Sequence, residues 1–231
     1  MNKLLLNIVL AIVATLCVSS CGYDNFDEPD SMLTGRMVYK GQPLQLPGSA
    51  NLIQLQAYQS GYQLTSPITI YVGQDGSFST RLFNGHYKIV TKDNNGPWVN
   101  SRDTVEVDLN GSTNVDIPVT PYFLLSDFGC SLSGNTLTAN FTVERIVADA
   151  KIDHAAICLG TTAFVDEQNN AMEFQIPADK VKEGANSFTT NLSDDQVAEL
   201  SKPSVKKIIA RAGLRTVGAD RSIYTEIVKL K

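Results

Sequence analysis

Histidine, tryptophan and cysteine are scarce in this chain of 231 residues, which holds two, one and four of them respectively. His86 and His154 stand apart, with no His-x-x-Glu or His-Glu-x-x-His spacing around either. A catalytic zinc wants three protein ligands and an open position, so no metal site is expected. A Gly-x-Ser-x-Gly elbow and a glycine-rich phosphate loop are also missing, which removes the common serine-hydrolase and nucleotide-binding signatures. His154 lies four residues before Cys158, a spacing that puts both on one face of a strand without contact. Basic residues are in deficit, 19 Lys plus Arg against 24 Asp plus Glu, for a net charge of −5. Such a chain gains nothing from a phosphate backbone, and nucleic acid is excluded as a partner. No cofactor is implied.

Long hydrophobic runs are missing too, apart from Leu4 to Val18, which follows Lys3 and is too short to span a membrane. A positive residue, an apolar core and two small residues, Ser19 and Ser20, form a secretory leader over residues 1–20. The cysteine that follows, Cys21, completes an ending that resembles the bacterial lipobox. That resemblance implies diacylation of Cys21, cleavage before it, and a protein tethered to the membrane by lipid alone. Losing Lys3 with the leader takes the charge from −5 to −6. Residues 21–31 read as an acidic linker, with Asp24, Asp27, Glu28 and Asp30 close together and little apolar surface. They lack EF-hand spacing and its closing glutamate. Acidic residues just behind a lipidated cysteine resemble the export signal of Bacteroidetes lipoproteins, which implies the outer face of the outer membrane. Cys17 leaves with the leader, so Cys130 and Cys158 remain, either joined as a disulfide or kept as buried thiols.

From Leu33 onward apolar residues recur with period two, and turn residues separate the runs. Ile53, Leu55 and Ala57 share one face; so do Ile68, Ile70 and Val72, then Phe78, Thr80 and Leu82. Asn84-Gly85 and Asn110-Gly111 are tight-turn signals because both residue types tolerate positive φ. Val105, Val107 and Leu109, then Val115, Ile117 and Val119, complete about seven strands. Pro118 and Pro121 mark a boundary, since prolines interrupt ladder donation. Beyond it Leu137 to Val143, Ala155 to Leu159, Lys207 to Thr216 and Ile223 to Leu230 read as strands. Ser193 and Gln196 have capping-box spacing, which predicts one short helix. The expectation is an all-β chain: two tandem antiparallel β-sandwiches, residues 32–118 and 119–231, behind a lipoprotein signal peptide.

Particular motifs resemble known families. Asp75-Gly76-Ser77-Phe78 with Gly85-His86-Tyr87-Lys88-Ile89 resembles the hairpin of transthyretin-type, carboxypeptidase-regulatory-like sandwiches, which carry no zinc ligands themselves. The second half resembles immunoglobulin or fibronectin type III sandwiches. The whole layout resembles the Bacteroidetes two-domain lipoproteins of unknown function encoded beside SusC/SusD-type glycan uptake systems. It has Tyr23 to Asp30 behind the lipobox, then Leu33-Thr34-Gly35-Arg36, Asp103 to Val107, and the Pro121-Tyr122-Phe123 junction. The resemblance implies a non-catalytic surface accessory of such an importer, which binds glycan or forms part of the assembly. A structural or adhesive module acting through protein contacts is the alternative.

For glycan contact, aromatic planes and nearby amides are the residues of interest, because sugars present apolar C–H faces and hydroxyls together. Trp98 sits with Asn95 in the Asp93 to Trp98 loop, as an exposed platform or as a plug beneath the sandwich. Tyr58 and Tyr62 flank Gly61 in a second polar-aromatic stretch. Paired carboxylates could cleave glycosidic bonds, but they need a deep cleft that two small sandwiches do not offer, so the chain reads as a non-enzyme. Ser31 and Thr104 each follow Asp in triplets matching the Bacteroidetes O-glycosylation pattern.

Overall fold

A computed structural model describes residues 28–61 and 66–230; Cys21, most of the acidic linker and Tyr62 lie outside them. The first half is built on β1 (Ser31–Tyr39), whose Leu33 and Met37 are fully buried. It is followed by β2 (Gln42–Pro43), β3 (Ile53–Gln59), β4 (Ile68–Val72), β5 (Ser77–Leu82), β6 (Gly85–Thr91), β7 (Val105–Leu109) and β8 (Ser112–Pro118). The hydrogen-bonded order is β2-β1-β5-β4-β3-β6-β7, with β8 on the other side of β1. At a single pair, Val72 opposite Phe78, the chain passes from the β3–β4–β6–β7 layer to the β5–β1–β8 layer. One ladder is not antiparallel: β8 runs parallel to β1 from Met32–Ser112 to Val38–Pro118. Alternation places Leu55, Ile70, Tyr87 and Ile89 between the layers, at 1% exposure or less. Burying each such side chain contributes roughly 1.5–3 kcal/mol.

Strand β1 starts at Ser31, inside the segment read as linker. Ser31 is 1% exposed; its hydroxyl donates to Asn84 and accepts from the Gly111 amide, so it ties two turns together. A residue so placed offers no hydroxyl for glycosylation, which corrects that expectation. Thr104 is exposed.

The second half contains β9 (Phe123–Ser133), β10 (Thr136–Arg145), β11 (Ile152–Gly160), β12 (Met172–Pro177), β13 (Gly184–Asn191), β14 (Ile209–Thr216), β15 (Ile223–Tyr224) and β16 (Val228–Lys229). Three strands form the sheet β13-β10-β9; the others form β12-β11-β14-β15, with β16 also on β14. Leu137, Ala139 and Phe141 face Ala155, Ile157 and Leu159 across the core. The helix α1 (Asp194–Ser201) carries the complete capping box: the Gln196 amide donates to the Ser193 hydroxyl while the Ser193 amide donates to the Gln196 side chain. It buries Leu200.

Cys130 pairs with Ala139 in the three-stranded sheet, whereas Cys158 lies between Glu173 and Arg211 in the other. Both are free: Cys130 packs against the core, whereas Cys158 lies on the opposite face of its sheet among Ala156, Val165 and Ile209, so the disulfide alternative is overturned by side-chain direction. Burial pushes the Cys130 thiol up to about 11. It pushes Cys158 up as well, with Glu167, Glu173 and Asp166 adding to the effect. We expect thiol titration of the denatured protein to find Cys130 and Cys158 reduced without added reductant, and both thiols to resist alkylation at pH 8 in the native protein.

The two halves are locked together rather than strung on a hinge. The outer face of β14 carries Arg211, which is fully buried although it lies on the face opposite the sandwich core. Its guanidinium donates to the carbonyls of Thr225 (2.8 Å) and Val165 (3.3 Å) in its own half, and of Leu46 (2.9 Å) and Gln74 (3.4 Å) in the other. It stacks 4.8 Å from the Tyr224 ring centroid. Burial lowers its pKa to about 10, against the pull of Tyr224 and Asp166, so it stays charged at neutral pH. Asp166, 1% exposed, accepts from the Ser49 amide and hydroxyl across the same junction and from the amides of Gln168 and Asn169. The Tyr224 amide donates to the Gln45 carbonyl at 3.0 Å.

Candidate functional site

Trp98 and Asn95 do not present a surface. Trp98 is 2% exposed, belongs to the core, and forms an isolated bridge with Pro121. A Cβ on Gly96 would come within 2.2 Å of its ring, so the loop is wrapped tightly around the indole. Asn95 is buried; it accepts from the Gln54 amide at 2.6 Å and donates to the Leu52 carbonyl at 2.8 Å. Of the two readings of this loop the plug holds, and Asn95 is the pin that ties it to the start of β3. Tyr58 is half-buried on the outer face of β3, opposite Lys88 of β6.

What the plug supports is a groove one residue further on. The Val99 amide donates to the Thr120 carbonyl (2.9 Å), and the Val119 amide donates to the Val38 carbonyl (2.9 Å). The connector 118–121 is therefore pinned on both sides, and it floors a groove of about 540 Å³. That volume lies within the range of ordinary small-ligand sites. Tyr39 and Lys40 form one wall, at the tip of the β1–β2 hairpin, where Lys40 (φ 49°) and Gly41 (φ 77°) give a two-residue turn with positive φ at both positions. Val99, Asn100, Ser101 and Asp103 form the other. Val99 is 38% exposed, and the Lys40 ammonium stands 5.1 Å from the Tyr39 ring centroid. Asn100 is held by Asn94 through two hydrogen bonds, at 2.9 and 2.7 Å.

The groove offers the exposed part of the Tyr39 ring, which otherwise packs against the core, and aliphatic surface from Val99 and Pro118, edged by an amide, a hydroxyl, a carboxylate and an ammonium. This pairing suits a ligand with apolar faces and many hydroxyls. Loop composition draws attention to Trp98 and Asn95, both of which the structure buries. The usable signal was Tyr39-Lys40-Gly41, an aromatic residue directly before a positive-φ turn.

A second polar cluster does other work. His154 lies 3.4 Å from Glu167 and 2.7 Å from Asp153; Glu167 also receives Arg215 (3.0 Å) and the Ser222 hydroxyl (2.8 Å). Ser222 donates to Glu167 rather than to His154, so the group is not a nucleophile–base pair. It fastens the 161–171 loop over the outer face of β11. Among the described residues no set of three or more His, Cys, Asp or Glu side chains is arranged to hold a metal ion.

Fold and groove together define a class: an all-β, tandem-sandwich protein with a shallow, open, mixed apolar-polar site. The chain belongs to the DUF3823 family: residues 31–120 match the N-terminal domain described as "Protein of unknown function (DUF3823)", and residues 123–229 match "Domain of unknown function (DUF3823_C)". A solved DUF3823 family protein from Parabacteroides merdae is 41% identical over 89% of this chain and 100% of its own, with a TM-score of 0.83. One from Bacteroides ovatus is 31% identical over 87% of this chain and 98% of its own, at 0.76. A protein from Bacteroides uniformis described as a "putative carbohydrate binding protein" shares the fold, at 19% identity over 88% of this chain and 100% of its own, with a TM-score of 0.69. No curated protein matches the chain in sequence.

Proposed function

We propose that this protein is a non-catalytic surface lipoprotein, anchored through Cys21 in the outer membrane, that serves a SusC/SusD-type glycan importer by holding glycan in the Tyr39 groove. The groove carries the reading: an aromatic wall and an aliphatic floor within reach of hydroxyl-binding groups, built on a connector that is pinned on both sides. The lipobox and the acidic stretch behind it support the location. The fold shared with the Bacteroides uniformis protein supports the ligand class. Replacing Tyr39 by Ala is expected to weaken glycan binding about tenfold, the ~1.4 kcal/mol that a stacked ring contributes. Calorimetric titration of the variant against the wild type checks this.

A second reading rests on β13. It pairs with β10 on one side, and its other edge has no partner strand among the described residues. Its eight residues, Gly184 to Asn191, include no charged side chain to block pairing. An edge of that kind suits strand addition by another protein, which fits a component of the importer assembly or an adhesive module. Gentle solubilisation of outer membranes and identification of what co-purifies tests the partner. A SusC/SusD-type pair recovered in fixed proportion supports the importer. A protein that purifies alone moves the weight to adhesion or autonomous binding.

A further inference from the structure

The ladder between β9 and β10 slips at one point. Ser126 opposes Thr142 and Gly129 opposes Asn140, so Asp127 and Phe128 together face Phe141. This is a bulge, and Asp127 occupies its left-handed position with φ 52°. Bulges of this geometry ordinarily place glycine there, because a Cβ is strained at positive φ. Aspartate tolerates the conformation better than most residues, yet its own carboxylate gains little from the site. It is exposed and accepts a hydrogen bond from its neighbour Ser126 at 2.9 Å. Lys40, Asn51 and Asn94 share this conformation, so it marks the bulge; what singles out Asp127 is that the bulge places its exposed carboxylate in two grooves.

Asp127 lines two grooves at once. One, of about 620 Å³, runs across the outer face of the three-stranded sheet over Asn140, Thr142 and Ser187 and ends near Lys182. The other, of about 360 Å³, runs from Asp127 to Gln45 and Glu226 at the junction of the two halves. Both are open and mainly polar. The amide of Asn140 and the hydroxyl of Ser187 lie on exposed positions along the first.

We propose that these grooves form one trough, centred on Asp127, that takes an extended, neutral, polyhydroxylated chain such as an oligosaccharide, and that it is separate from the Tyr39 groove. The Asp127 carboxylate accepts two hydroxyls of one sugar unit, and Asn140 and Ser187 bind the next. The trough lining carries Asp127, Asp179 and Glu226 against Lys180 and Lys182, and the carboxylate stands at the centre, which disfavours phosphorylated or polyanionic chains. The inference rests on the proposed function for the class of ligand and on the bulge for the place.

The test is calorimetric titration of the full mature protein in detergent with neutral hexasaccharides, cellohexaose, xylohexaose and mannohexaose, and with hexagalacturonate as the anionic control. Asp127→Gly, Asp127→Asn and Tyr39→Ala are compared with the wild type. Glycine accepts φ 52° freely, so Asp127→Gly is expected to melt at a higher temperature and yet lose tenfold or more in affinity for a neutral hexasaccharide. Asp127→Asn, which keeps the bulge and one acceptor oxygen, is expected to lose less. Unchanged affinity in Asp127→Gly, or preference for hexagalacturonate, overturns the trough and leaves the Tyr39 groove standing. Unchanged affinity in Tyr39→Ala overturns the groove and leaves the trough. A wild-type protein that binds none of the probes overturns both.

Discussion

Arg211→Ala is expected to lower the unfolding free energy by about 4 kcal/mol. The side chain is fully buried, and its hydrogen bonds end on carbonyls drawn from both halves. Removing it leaves the Leu46, Thr225 and Val165 carbonyls without this donor in a buried junction, and each orphaned group costs roughly 1–3 kcal/mol. A cavity against the Tyr224 ring adds to this. Lysine does not rescue the loss, because an ammonium cannot reproduce a planar fork aimed at several carbonyls. Since Leu46 and Gln74 belong to the other sandwich, the variant is also expected to uncouple the halves. Urea unfolding checks both points: the wild type unfolds in one transition, and Arg211→Ala in two, the first at much lower denaturant.

Gly35→Ala is expected to cost about 3 kcal/mol or more, for a reason local to one strand crossing. Gly35 opposes Phe78 on one side and Val115 on the other. A Cβ there would come within 1.8 Å of the Val115 carbonyl oxygen and 2.6 Å of the Phe78 ring. The ring could turn, but the carbonyl is backbone, so the parallel β1–β8 ladder must part to admit a methyl group. The readout is the midpoint of thermal unfolding, together with loss of amide protection along Ser112–Pro118. A substitution that leaves both unchanged would show that the β1–β8 pairing is looser than the register indicates.

Period-two faces such as Ile53-Leu55-Ala57 and Leu137-Ala139-Phe141 reveal the strands, because each apolar residue pairs with a polar neighbour of opposite direction. The capping box reveals the helix for the same reason: the information is local. The pairing of β1 with β8 is not local, since Leu33 meets Thr113, and neither strand's pattern names its partner. Arg211 misleads in another way. Alternation assigns it to a polar outer face, and only the packing of residues 44–49 and 73–76 over that face buries it. Trp98 shows that loop composition does not distinguish an anchor from a platform. The Tyr39 groove draws on three segments, around residues 39, 100 and 119, so no single stretch announces it. At Asp127 the glycine that would mark the bulge is absent, and the slip in register goes unannounced.

The proposed glycan role stands or falls most directly on whether the Tyr39 groove takes sugar. Trp98 is the chain's single tryptophan and directly precedes Val99 in the groove wall. Its ring is buried beneath the wall rather than in the groove, so its fluorescence is a label-free reporter of changes that ligand transmits through Val99. Titrating the protein with the neutral hexasaccharide that calorimetry finds to bind is predicted to change Trp98 emission saturably, and Tyr39→Ala is predicted to shift the midpoint about tenfold higher. A wild-type signal that stays flat across the titration, with calorimetry also silent, would contradict the account and leave the protein an assembly or adhesion module.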